Sequence, residues 1–178
     1  MNSLQRLTTS PAQEPLTVEN RELPSDHVKL PIRPPRLFVL TFASGVLFEM
    51  LLTGMATFQW PGYTQIAAAM MLMMAGFTLA GWSFATLNHH HTSGNPQLPT
   101  QALVTSGPYR WSRNPVYLAM LVIYTGATLL IGLTGPLWLL PLLVWFTDRW
   151  IIQCEERYLA SRFADEWPGW CQNTRRWL

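Results

Sequence analysis

The sequence predicts an all-α fold: a multi-pass membrane bundle of four transmembrane helices with both termini cytoplasmic. Three observations carry that expectation. Only 12% of the 178 residues are charged, against roughly 25% in an ordinary soluble domain. The deficit is concentrated, because residues 50–109 and 114–147 contain no Asp, Glu, Lys or Arg, and uncharged apolar runs longer than about 18 residues read as membrane spans. Every Lys and Arg lies in residues 1–36, in the 88–115 loop or from Arg149 onward, whereas the turns at 59–62 and 134–136 hold none. Four spans put all three basic segments on one side, which the positive-inside bias makes cytoplasmic.

Residues 1–36 form a polar leader rich in proline, with Pro11, Pro15, Pro24, Pro31, Pro34 and Pro35. Proline lacks a backbone donor and restricts the residue before it, so no long helix is expected there. Lys29, Arg33 and Arg36 stand where anionic headgroups would attract them. The leader has no short apolar core with a small-residue cleavage site, so the first span is expected to act as the insertion signal.

The membrane domain is expected over 37–178. The first span covers about 37–58, and Trp60-Pro61-Gly62-Tyr63 reads as an aromatic turn at the far interface. The second covers about 63–87, where the small residues Ala67, Ala68, Gly76, Ala80 and Gly81 would allow close helix contact. A polar loop leads to a third span at about 116–133, broken by Thr134-Gly135-Pro136. The fourth, about 137–152, runs on into the charged 153–163 stretch as one helix leaving the bilayer, and a cytosolic tail closes the chain at 178. No internal repeat is visible, which argues against a transporter.

Composition also excludes functions. A net charge of +2 gives no nucleic-acid footprint. Cys154 and Cys171 are not in CxxC spacing and read as buried or free thiols. His89, His90 and His91 are consecutive, so they point in different directions, and no nearby Cys, Asp or Glu completes a site; no metal is expected. Glu49 lies inside the first span, where an acid is costly. It is a functional group, a neutral acid, or a hydrogen-bonding partner between helices. No Rossmann, Walker, zincin or nucleophile-elbow pattern occurs.

Three stretches can carry chemistry. The first is Leu103 to Tyr117, LVTSGPYRWSRNPVY, whose Arg110 and Arg113 are the only formal charges between Glu49 and Asp148. Gly107-Pro108 signals a turn, Tyr109, Arg110 and Trp111 offer a stacking surface beside a cation, and Asn114-Pro115 opens the third span. Arg113 at a helix start is poorly placed for a cation unless an anion joins it. The second is Glu155-Glu156 where the fourth span leaves the membrane, either a solvated helix face or a carboxylate pair suited to an organic cation or ribose hydroxyls. The third is the ending from Phe163 to Leu178, where aromatics alternate with Arg175 and Arg176.

Taken jointly, these stretches resemble the isoprenylcysteine carboxyl methyltransferase family, and more broadly the membrane methyltransferases that include phospholipid N-methyltransferases. The likeness rests on Thr92 to Pro96, Leu103 to Pro108, Tyr109, Arg113-Asn114-Pro115 with Tyr117, Glu155-Glu156 with Leu159, Phe163, and Arg176-Trp177-Leu178. It covers roughly the second half of the chain. The sequence departs from that pattern at His91, Ala119 and Ala164, where glycine is usual, and at Trp167 and Trp170, where tyrosine is common.

The resemblance implies an S-adenosylmethionine site facing the cytoplasm. It assigns cofactor contacts to Leu103, Val104, Gly107, Tyr109, Arg113, Asn114, Pro115, Tyr117, Glu155 and Glu156, with Arg113, Tyr117 and Glu156 closest to the chemistry. The implied partners are the bilayer and a lipidic or small hydrophobic methyl acceptor, either an isoprenylcysteine-type carboxylate or a phospholipid amine. A non-catalytic membrane scaffold keeping the same fold is the competing class.

Overall fold

The structure, a computed structural model, describes residues 30, 32–53, 61–94 and 98–178. It is all-helical among these residues, with a lone bridge between Ser112 and Arg175. Helix α1 is Pro34–Thr53, α2 is Tyr63–His89, α3 is Pro115–Ile131 and α4 is Gly135–Phe146. The chain then passes through a π-helical segment, Thr147–Ile152, into α5, Gln153–Arg162, and ends on α6, Trp167–Asn173. A 3-10 turn, Gly107–Arg110, precedes α3. The leader before residue 30, the far part of the first expected span, Trp60 of the aromatic turn and residues 95–97 lie outside the described residues.

Helices α1 and α2 are long and apolar enough to cross a membrane, and α3 is a shorter apolar helix of 17 residues. Val39, Leu47, Phe48 and Leu51 on α1, with Met70, Met71, Met74 and Phe77 on α2, are exposed. An apolar face of that extent marks a membrane or protein interaction surface.

Helix α2 lies along α3, and α1 along α4. On α2 the buried seam is Ala69, Gly76 and Ser83, seven residues apart, a spacing that returns to one face every two turns. Of the small residues expected to make this contact, Gly76 sits on the seam, while Ala67 and Gly81 are exposed. Opposite it stand Ala119 and Gly126 of α3. A methyl group on Gly126 would lie 3.0 Å from the Ala69 carbonyl oxygen and 2.8 Å from Met73 Cγ. Gly126→Ala is therefore expected to destabilise by about 1–3 kcal/mol through overpacking. Gly81→Ala, which meets nothing within 4 Å, should be neutral or slightly stabilising in the same thermal unfolding assay.

Glu49 resolves into an interhelical role. Its Oε2 accepts hydrogen bonds from the backbone N–H groups of Thr134 (2.7 Å) and Gly135 (2.5 Å), at the start of α4. Those donors have no partner inside the helix, and a carboxylate there also meets the positive end of the helix dipole. Tyr124 completes the frame. Its hydroxyl donates to the Pro136 carbonyl (2.9 Å), and Phe38 and Phe42 pack edge-on against its ring.

The π segment has a direct signature: the Gln153 N–H donates to the Asp148 carbonyl, five residues back. Thr147 Oγ1 is buried there without a hydrogen-bond partner among the described residues. From α4 to α5 the helical path is unbroken.

Candidate functional site

The loop after α2 is stapled back onto that helix. The Thr92 N–H donates to the Leu87 carbonyl, and Thr92 Oγ1 accepts from the Ala102 N–H at 3.2 Å. His91 takes φ +53°, a left-handed conformation in which glycine carries no steric penalty. This gives physical content to one departure noted above: the turn demands what glycine supplies, and histidine here bears the strain. Gly107 meets the same demand at φ +58°, where a side chain would strike Thr86 Oγ1 at 2.8 Å.

Pro108 then starts the 3-10 turn, and Pro115 opens α3 after Asn114, whose carbonyl accepts from the Leu118 N–H. The C-terminal tail straps this loop down. The Arg113 N–H donates to the Arg175 carbonyl (2.9 Å), Asn114 Nδ2 to the Arg176 carbonyl (3.0 Å), and Trp170 Nε1 to the Tyr109 carbonyl (3.2 Å).

An ionic cluster locks the strap. Arg176 Nη2 lies 2.5 Å from Glu156 Oε2, and Arg176 Nη1 lies 3.3 Å from Asp148 Oδ2. Trp177 Nε1 donates to Asp148 Oδ1 at 3.1 Å, and Arg113 Nη1 sits 3.3 Å from Glu156 Oε1. The hydrogen bond that Arg176 donates to Glu156, with Asp148 in support, raises the Arg176 pKa further. Asp148 was not singled out by sequence; its signal was being the first acid after a long uncharged run.

Beside this cluster is a cavity of about 720 Å3, within the roughly 300–1,000 Å3 range of small-molecule sites. Of the residues the sequence nominates, Leu103, Val104, Tyr109, Arg113, Asn114, Pro115, Tyr117 and Glu155 line it. Gly107 and Glu156 do not. Gly107 packs on Thr86 and Trp82 of α2, and Glu156 is engaged by Arg176 and Arg113. Successive helical residues point about 100° apart, so two adjacent carboxylates divide: Glu155 on the cavity wall, Glu156 in the strap. Trp170, which the sequence placed only within the aromatic C-terminal ending, also lines the cavity; sequence reading missed Tyr158, Phe84, Leu87 and the Leu30, Arg33 and Arg36 side of the wall.

Two polar groups define what the cavity can hold. Tyr117 donates its hydroxyl proton to Glu155 Oε1 at 2.5 Å. Burial lifts the Glu155 carboxyl to about 7; the Tyr117 hydrogen bond opposes the shift and neighbouring Glu156 adds to it. Burial, and then Glu155, push the Tyr109 hydroxyl well above the ordinary phenol range. Arg113 stacks at 5.8 Å over the Trp167 ring and donates Nη1 to Cys171 Sγ at 2.7 Å. Its Nε is buried with no hydrogen-bond partner among the described residues. A carboxyl poised near neutrality and a spare guanidinium donor, set among aromatic and aliphatic walls, suit a ligand bearing both a cation and a carboxylate. Among the described residues no three His, Cys, Asp or Glu side chains gather.

The profile of the family described as phospholipid methyltransferase matches residues 64–166. The match runs from the first turn of α2 to the residue before α6, and so includes the loop and Glu155. No curated protein and no solved structure matches the chain.

Proposed function

The chain belongs to the phospholipid methyltransferase family, and on that premise we propose that it is an integral membrane enzyme that transfers the methyl group of S-adenosylmethionine to a lipidic acceptor. The observation that carries the reading is the cavity lined by both Glu155, held by Tyr117, and Arg113, with its unpartnered Nε. These residues fit the cofactor. Glu155 would hold its cationic part, Arg113 its carboxylate, and Val104, Tyr109, Leu159 and Trp170 its uncharged surface.

When bound, the cofactor supplies a methyl group on a positively charged sulfur. What this chain adds is position and dryness. Tyr117 fixes the Glu155 carboxylate, and Trp170, tied to the Tyr109 carbonyl, closes part of the same cavity. Displacement in line depends on placing two reactants together, and spreading of charge is favoured where water is excluded. The family description supports a phospholipid amine over an isoprenylcysteine carboxylate.

A four-span arrangement with the site at the cytoplasmic face completes the proposal. It is supported by the meeting of the loop before α3, Trp170 of the C-terminal tail and residues 33–36 around one cavity, because an even number of crossings returns these basic segments to one side. Calorimetry of S-adenosylmethionine against detergent-purified protein, with S-adenosylhomocysteine as competitor, tests the reading. Saturable and competed binding is expected. Folded protein that binds neither would return the chain to the scaffold class.

A further inference from the structure

The family match begins at residue 64, yet one side of the cavity is built by residues far upstream. Leu30, Arg33, Pro34 and Arg36 all lie on its wall. Leu30 also packs against the buried cluster of Tyr117, Ile151 and Ile152, so this short stretch is fastened to the centre of the site. Arg33 and Arg36 are exposed, which sets them at the mouth, while Tyr117, Asn114 and Trp170 are buried within.

The acids inside already have hydrogen-bonding partners. Glu155 is held by Tyr117, and Glu156 and Asp148 are taken by Arg176. Among the described residues no ion pair uses Arg33 or Arg36. Among the described residues, two guanidinium groups therefore border the cavity without a counter-charge. The same cavity is lined by the apolar side chains of Leu30, Phe84, Leu87, Val116 and Met120. A guanidinium pair recognises phosphate or carboxylate oxygens through charge-assisted hydrogen bonds. An apolar lining suits an acyl or alkyl chain.

Resting on the methyltransferase reading above, we infer that Arg33 and Arg36 form an acceptor-selecting anion site, which grips the phosphate of a lipid headgroup at the cavity mouth while the lipid's chain packs on the apolar lining. The cofactor's own carboxylate is served from inside by Arg113. Selection of the acceptor thus lies in a segment outside the part of the chain that the family shares.

The test is titration of the full-length protein in a neutral maltoside detergent with n-dodecyl phosphate, with inorganic phosphate, and separately with S-adenosylhomocysteine. Arg33→Gln/Arg36→Gln is expected to weaken dodecyl phosphate binding by about tenfold or more, as expected for loss of two charge-assisted contacts. S-adenosylhomocysteine affinity should stay within about twofold. Arg33→Lys/Arg36→Lys should recover part of the loss, and Arg157→Gln, an exposed arginine off the cavity wall, should bind as wild type does. Unchanged affinity in the double glutamine variant would overturn the inference, as would an equal loss in Arg157→Gln. Inorganic phosphate binding as tightly as the alkyl phosphate would mark a soluble oxyanion site and overturn the lipid assignment. Wild-type protein that ignores S-adenosylhomocysteine but keeps arginine-dependent alkyl phosphate binding would fell the methyltransferase reading and uphold the anion site.

Discussion

Glu155→Gln is expected to weaken S-adenosylmethionine binding by roughly a hundredfold, about 3 kcal/mol, the cost of removing one side of a buried charge contact. Glutamine keeps the volume and can still accept from Tyr117, so the fold is preserved and the loss isolates the charge. The same substitution should flatten two pH dependences. In the free protein the Glu155 carboxyl, lifted from 4.5 to about 7 by burial, keeps its proton over a range where the unfolded chain releases it. The native state then binds more protons than the unfolded state, and stability falls as pH rises through that window, by about 3 kcal/mol in all. A cationic cofactor favours the ionised carboxylate, so its affinity should rise between pH 6 and pH 8. Calorimetry and thermal unfolding at several pH values check both slopes. A Glu155→Gln protein with wild-type affinity at pH 8 would refute the cofactor role.

Glu156→Gln should behave differently from its neighbour. It leaves Arg113 and Arg176 facing one another with only Asp148 to offset them. Breaking a buried ion pair from one side costs about 3–5 kcal/mol, and the partial exposure of Arg176 places the expected loss near the lower figure, about 3 kcal/mol. The damage should appear as a lower melting temperature and as faster proteolysis after α6, with cofactor binding weakened because Trp170 no longer seals the wall. Arg176→Ala added to Glu156→Gln should cost much less than the sum, since both act through one contact. Full additivity would show that the strap is not a unit.

Much of this molecule could be read from order and spacing. The uncharged runs marked the helices, and the 103–117 stretch with Glu155 marked one wall of the cavity. What stayed hidden has physical reasons. A Glu-Glu pair carries no indication of which carboxylate faces inward, because that depends on the rotation of α5. Gly76 could not be separated from Gly81 without knowing the face that α3 covers. Asp148 pairs with Arg176 and Trp177, nearly thirty residues away, and such a partnership leaves no local pattern. Arg33 and Arg36 looked like membrane-surface charges because nothing in the leader's composition linked them to a distant loop.

The π segment at Thr147–Ile152 decides which chemical group the cavity receives. Winding six residues more loosely than an α-helix lags the following helix by about 100°, one residue's worth of rotation. Wound as α throughout, the same sequence would bring Cys154 to the bearing that Glu155 now holds, and a thiol would face Tyr117 in place of a carboxylate. Deleting one residue from the segment and letting it relax to α winding would keep Glu155 aimed inward, whereas tightening it at constant length would not. The local pitch of one turn therefore acts as a selector between two side chains.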